Sequence, residues 1–312
     1  MSESAAPRVP TLSHRIEYVF TRLAVAALRL LPWRGASWIG GRLGRFAYRP
    51  LGIRKGVTER QIAAAFPEFS PERVRDVAER SYDSLGRTSI ETAILPGTSR
   101  EDILARMERV EGWEHVEAAL AQGNGIIAVT GHLGNWEFGG AYFAARGIPL
   151  AAVVRGMANP IFEAYVTRTR RKAGVEVVHD SDAVRRTPRA LRENRIVAFL
   201  SDHDALGLAS TFVPFFGRPA KTPRGPAVFA MRMDVPVLFI VPVRQPSGRY
   251  AMLIEPVPVE RTGDRDADID RIVLRFTQLL ERRIREYPEQ YFWQHRRWRR
   301  QPPDTPPHLR EP

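Results

Sequence analysis

From Gly125 onward the chain alternates short apolar runs with stretches of helical period, and this rhythm constrains the fold more than any other feature of its 312 residues. Ile126 to Val129, Pro149 to Val154, Glu176 to Val178 and Ile196 to Leu200 read as strands, separated by helices to Arg146, from Asn159 to Ala173 and from about Asp182 to Asn194. Apolar strands alternating with helices of about 10 to 15 residues predict an α/β fold, its sheet mostly parallel and covered on both faces. Pro236 to Val243 and Tyr250 to Val257, joined across Pro246-Ser247-Gly248, predict an antiparallel hairpin at one edge, and a helix from about Ala267 to Tyr287 closes the unit. Ahead of Gly125 the period is helical from Ser13 to about Arg109, with starts at Ser70-Pro71 and at Ser99 before Glu101 and Asp102. The expected organisation is a helical region over 1–110, an α/β core over 111–300 and a loose proline-rich tail over 301–312.

Charge narrows the partners. Basic residues number 47 against 35 acidic ones, for a net charge of +12, and Lys55, Lys172 and Lys221 are the only lysines. Ten arginines and Lys55 against Glu3, Glu17 and Glu59 place +8 of that charge in the first 60 residues. Such an excess steers the chain toward an anionic lipid surface, an acidic protein or a nucleic acid without choosing among them. The absence of cysteine excludes disulfides, thiolate metal ligands and a cysteine nucleophile. No uncharged apolar run reaches the roughly 18 residues of a spanning helix; Leu23 to Leu31 comes nearest, and Arg29 interrupts it. No export signal is expected. Tyr18, Phe20, Trp33, Trp38 and Phe46 among the arginines suit a segment lying in a membrane interface, and equally a core-packing helix with a solvated arginine face.

In open α/β sheets, ligands bind beyond the carboxyl ends of the strands. The strand at Ile126 runs into Gly131-His132-Leu133-Gly134-Asn135-Trp136-Glu137, with a histidine at the strand end and a glutamate in the first turn of the next helix. Five residues along one continuous helix set two side chains about 140° apart, so His132 and Glu137 meet only through a turn that Gly131 and Gly134 permit. Glu137 bonded to one ring nitrogen would leave the other to take a proton from an alcohol, and the amides near Asn135 at the new helix start would face a developing oxyanion. Gly-x-Ser-x-Gly does not occur. Without that serine or a cysteine, the chemistry expected is direct attack of a substrate hydroxyl on an activated acyl group. Taken bare, the His-x4-Glu spacing also suits a packing or capping role.

Further blocks follow in order: Val153-Val154-Arg155 with Asn159-Pro160-Ile161-Phe162-Glu163; Asp202-His203-Asp204 with Phe212-Val213-Pro214-Phe215-Phe216-Gly217 and Ala220-Lys221-Thr222; and Pro288-Glu289-Gln290-Tyr291-Phe292-Trp293-Gln294-His295-Arg296-Arg297-Trp298. With the His132 block, and from about Arg15 to Arg300, the chain resembles the lipid A late acyltransferase family of lauroyl and myristoyl transferases. The resemblance implies a fold like that of glycerol-3-phosphate acyltransferases, a mixed, mostly parallel sheet flanked by helices behind a helical, membrane-associating amino-terminal region. It implies an acyl-acyl carrier protein donor and an anionic Kdo-bearing lipid A precursor as acceptor. The amino-terminal segment, too short and arginine-broken to span, is expected to attach the chain to the cytoplasmic face of the inner membrane, monotopic or peripheral. The resemblance also implies a catalytic dyad of His132 and Glu137, with Asn135, Arg155, Asp202, Phe215 and Phe216 on the substrate side. Family members often carry Asp-Gln-Asp at Asp202-His203-Asp204 and Ala-Ala-Thr at Ala220-Lys221-Thr222, departures that bear on acceptor or chain length more than on the reaction.

Read by themselves, these residues have plainer roles as well. Arg155 at a strand end suits a phosphate or an oxyanion, and otherwise is one surface arginine among many. Asp202, His203 and Asp204 have metal-ligating chemistry, yet three consecutive side chains rarely point at one ion; no metal or cofactor is expected, and Asp202 is expected to orient the acceptor or an arginine. Phe212, Phe215 and Phe216 either line an acyl groove or belong to the core. Arg296, Arg297, Arg299 and Arg300, interleaved with Trp293 and Trp298, suit lipid headgroups and equally RNA. Two competitors stay open: an acyltransferase acting on another glycolipid or a phosphatidylinositol mannoside, and a basic nucleic-acid-binding protein. The latter explains the charge but leaves the ordered blocks idle, and no nucleic-acid motif is recognised, so nucleic acid is not an expected partner.

Overall fold

The computed structural model describes residues 11–156, 159–203 and 207–312. The chain opens with α1 (Leu12–Leu28), α2 (Trp33–Tyr48), α3 (Lys55–Ala65), α4 (Pro71–Ile94) and α5 (Arg100–Ala105). Ser70 accepts the amide of Arg73 with Pro71 opening α4, and Ser99 accepts the amide of Asp102 at the head of α5, as the sequence predicts. Strand β1 (Met107–Glu111) departs from the helical expectation. Its charged residues are those of an edge strand, paired on one side only.

After α6 (Trp113–Leu120) the expected alternation follows: β2 (Ile126–Thr130), α7 (Trp136–Ala145), β3 (Leu150–Val154), α8 (Pro160–Lys172), β4 (Val175–His179), α9 (Ala183–Arg192) and β5 (Ile196–Leu200). The aromatic block then forms a separate hairpin, β6 (Ser210–Phe215) with β7 (Arg218–Pro223). Its turn residues Phe216 and Gly217 both have positive φ, 49° and 71°, as a two-residue type I′ connection requires. The chain continues through α10 (Gly225–Met233), β8 (Val237–Arg244), β9 (Tyr250–Val257) and α11 (Arg265–Glu286).

The main sheet has the order β1-β9-β8-β2-β5-β3-β4. Strands β8, β2, β5, β3 and β4 are parallel, while β9 runs antiparallel to β8 and β1 parallel to β9. The β8–β9 hairpin therefore forms as expected but is not the edge, because β1 lies outside it. Ile127, Val129, Val197 and Phe199 face one core, and Ile126, Ala128 and Ile196 face the other. Burial of both faces explains why these strands read as unbroken apolar runs.

The amino-terminal helices are built into this core instead of standing apart. Helices α2 and α4 touch through glycine, where a Cβ on Gly86 would lie 2.1 Å from the Gly40 carbonyl oxygen. Glu91 of α4 is fully buried, and its carboxylate accepts hydrogen bonds from Ser37 Oγ of α2 (2.6 Å), Asn135 Nδ2 (2.9 Å), both Nη atoms of Arg244 (2.5 and 2.8 Å) and the Tyr250 hydroxyl. The carboxyl-terminal residues are pinned, not loose: Gln301 donates to the Pro219 carbonyl, Arg218 donates to that of Arg310, and Arg296 pairs with Glu311. Among the described residues no helix is long and apolar enough to cross a membrane.

Removing Glu91 would leave the Arg244 guanidinium buried without its counter-charge, a change that costs about 3–5 kcal/mol. Glu91→Ala is expected to lower the urea midpoint sharply and Glu91→Gln, which keeps the shape, less so; an unchanged midpoint for Glu91→Ala would contradict the network.

Candidate active site

Strands β2 and β5 are adjacent and in register, with Thr130 opposite Leu200. Two residues beyond each end, His132 and Asp202 emerge side by side. The His132 backbone amide donates to Asp202 Oδ2 (2.8 Å), and His132 Nδ1 lies 2.8 Å from Oδ1. An ionised carboxylate only accepts, so Nδ1 carries the proton and Nε2 is left as a base. Burial acts to raise the Asp202 pKa, but the His132 and His203 rings and the two bonds from His132 outweigh it and hold the group well below the usual carboxylate range.

Glu137 faces elsewhere. It is the second residue of α7, and its carboxylate is forked by Arg170 of α8, with Nη2 at 2.5 Å from Oε1 and Nε at 3.0 Å from Oε2, while Trp136 Nε1 donates to it at 3.2 Å. The expected bond from Glu137 to His132 is not among its contacts, because the imidazole is satisfied across the sheet edge by Asp202. Glu137 touches the site through Trp136, whose ring stands edge-on to His132 at 4.7 Å and 70°. The turn between them depends on Gly134, at φ 68°, where a Cβ would lie 1.9 Å from the Pro242 carbonyl oxygen.

Asn135, expected on the substrate side, is buried instead: its Oδ1 caps α7 through the Phe138 amide, its Nδ2 donates to Glu91 and Tyr250, and its own amide is spent on Pro242. Phe215 and Phe216 are likewise core residues, packed with Phe66, Tyr291, Trp293 and Trp298 and not lining a groove. Arg155 is exposed just past the end of β3. With the order β2-β5-β3 it stands on the same sheet edge as His132, two strand spacings or roughly 10 Å across. Asn159 caps α8 and donates to Glu17 of α1, so this block serves helix initiation and docking.

The carboxyl-terminal signature clamps the His132 loop. Phe292 N–H donates to the His132 carbonyl, Gly134 N–H donates to that of Gln290, and Leu133 bridges Tyr291. His132, Asp202 and His203 bring ligand-capable atoms within 4.8 Å of one another. The two imidazoles, however, are stacked 7° from parallel with centroids 3.7 Å apart. Their lone pairs lie in the ring planes and do not converge on one ion; Asp204 lies outside the described residues. Sequence reasoning missed Glu91, Arg170, Arg244 and Tyr250. For Glu91 a signal existed, since it continues the stripe Val77, Ser81, Ser84, Thr88 on the buried side of α4.

An imidazole whose Nδ1 is bound to a buried carboxylate is chemically equipped to accept a proton at Nε2, and similarity to known proteins gives the class: this enzyme is an acyltransferase. Over residues 6–300 the chain matches the model for bacterial lipid A biosynthesis acyltransferases, and it belongs to that family. The lipid A biosynthesis lauroyltransferase of Escherichia coli (strain K12) is 28% identical over 304 residues, covering 96% of this chain and 98% of that protein. The palmitoleoyltransferase of the same organism is 26% identical over 274 residues, 87% of each chain. A phosphatidylinositol mannoside acyltransferase of Mycobacterium tuberculosis (strain ATCC 25618 / H37Rv) is 28% identical over 222 residues, 69% of this chain and 68% of that protein.

Asp202→Asn is expected to cost about 10² to 10⁴ in kcat by disordering the tautomer of His132. Because the native carboxyl is held below its unfolded value of about 3.9, the unfolded chain binds more protons in acid and stability rises with pH there. The contribution of Asp202 is complete at neutral pH and is lost as pH falls below about 4 toward the native value. Denaturation measured between those limits should therefore be steeper in wild type than in Asp202→Asn; parallel curves would contradict the assignment.

Proposed function

We propose that this chain transfers a fatty acyl group from an acyl carrier protein thioester to a hydroxyl of a lipid A precursor, with His132 as the base. The observation that carries the reading is the His132 ring fixed by the buried carboxylate of Asp202, on a chain that matches an acyltransferase family over almost its whole length. Nε2 takes the hydroxyl proton as the acceptor oxygen attacks the thioester carbonyl, and Asp202 stabilises the imidazolium that forms. Collapse of the tetrahedral intermediate makes the new ester and expels the carrier thiolate, which recovers the proton from His132. Arg155 binds an acceptor phosphate from its exposed position on the same edge. Glu137 is a positioning residue that holds Trp136 against the imidazole and neutralises Arg170. Coverage favours a lipid A acceptor over a phosphatidylinositol mannoside: the lauroyltransferase aligns with 96% of the chain, the mannoside enzyme with 69%, at equal identity.

Association with an anionic membrane surface, at the cytoplasmic face of the inner membrane, is the second half of the proposal. Helix α1 buries Val25 but exposes Ile16, Val19, Phe20 and Leu23, with Phe20 70% exposed, and Leu30 beyond it is 86% exposed. These positions recur at helical spacing, a stripe beside Arg15, Arg22 and Arg29 of the kind that lies in a lipid interface. Helix α1 also packs on α8, so the stripe adjoins the strand edge that carries Arg155 and brings a lipid acceptor to it.

Purified protein supplied with lauroyl-acyl carrier protein and a Kdo-bearing lipid A precursor is expected to give the acylated product by mass spectrometry, with His132→Ala slower by about 10² to 10⁴. Transfer equally fast from acyl-CoA, insensitive to salt, would sink the carrier-protein donor. The protein should float with phosphatidylglycerol vesicles and Phe20→Glu/Leu23→Glu should not, while keeping activity on detergent-dispersed acceptor. Binding to total RNA without flotation would favour the nucleic-acid alternative.

A further inference from the structure

His132 is the outermost of three stacked imidazoles. Its ring lies 3.7 Å from that of His203 at 7°, and His203 lies 3.8 Å from His295 at 16°. From this geometry we infer that His203, backed by His295, is a positioning residue that fixes the ring plane of His132. The inference rests on His132 acting as the base.

The bond to Asp202 fixes where Nδ1 points but leaves the ring free to rock about that line, and rocking sweeps Nε2 away from the acceptor hydroxyl. A flat neighbour on the ring face removes that freedom. Both constraints come from the end of β5, the carboxylate from Asp202 and the face from the residue after it.

The backing is closed on itself. Phe292 N–H donates to the His132 carbonyl (3.0 Å), His295 N–H donates to the Phe292 carbonyl (3.3 Å), and the His295 ring returns through His203 to His132. Gln61 of α3 anchors the far end, donating to the His295 and Trp293 carbonyls at 2.6 Å and accepting from the Arg297 amide at 2.8 Å. Among the described residues the buried His203 Nε2 has no hydrogen-bond partner, while the ring face is stacked on both sides by imidazoles. Burial, and after it the adjacent His132, push its pKa down to about 2, so at neutral pH the proton taken by His132 meets an uncharged π face and not a second cation.

The test compares His203→Ala, His203→Phe and His132→Ala in the purified transfer assay with lauroyl-acyl carrier protein and the Kdo-bearing precursor. His203→Ala is expected to lose about tenfold or more in kcat with KM for acceptor within about twofold, since a small angular error at the base is felt in the reaction step and not in binding. His203→Phe restores the face without a titratable group and is expected to recover kcat to within about threefold of wild type. A kcat for His203→Ala equal to wild type, or a His203→Phe as slow as His203→Ala at the same melting temperature, would overturn the inference. Full activity in His132→Ala would instead overturn the base assignment, and the inference with it.

Discussion

The carboxylate of Glu91 is the constraint on which the rest is arranged. Buried charge is tolerated only when it is paired and its lone pairs are filled, and Glu91 meets that condition by drawing partners from four separate stretches of chain: Ser37 on α2, Asn135 at the head of α7, Arg244 at the end of β8 and Tyr250 at the start of β9. Because each of these must arrive for the others to be satisfied, the amino-terminal helices and the sheet form one cooperative unit. The glycine contacts between α2 and α4 bring the two backbones close enough for Ser37 to reach.

From that junction the order propagates to the site. Asn135 is held on one side by Glu91 and on the other caps α7, which sets the direction in which the Gly131–Gly134 turn leaves β2. Gln290 grips the Arg244 backbone amide and carbonyl with its side chain while its own carbonyl takes the Gly134 amide, so the strand that carries the counter-charge also carries the clamp over the loop. His132 is thereby located by backbone bonds before its ring makes any contact.

The pairing of His132 with Asp202 follows from strand order. Neighbouring parallel strands are about 4.8 Å apart, so two side chains leaving β2 and β5 at matching register positions fall within hydrogen-bond reach, whereas a residue five places along the chain has been turned aside by the opening of α7. Glu137 consequently meets Arg170, and its contact toward His132 runs by way of Trp136, which bonds its carboxylate and stands edge-on to the imidazole.

The sequence by itself determined most of the secondary structure and marked the sheet edge on which the candidate site lies. The apolar runs from Ile126 to Leu200 fix parallel strands because each is buried on both faces, the caps at Ser70 and Ser99 fix helix starts because orphan amides need acceptors, and His132 at a strand end marks the functional edge. The strand at Met107 escaped notice because a charged edge strand has no apolar alternation, and the β6–β7 hairpin because its turn pairs glycine with a phenylalanine at positive φ. Only the tertiary structure decided which carboxylate serves His132, since that choice depends on β5 inserting between β2 and β3, a long-range order that no local spacing records. The same holds for Phe215, Phe216 and Asn135, whose residue types suit a groove or a substrate as well as a core, and which packing alone assigned to the interior.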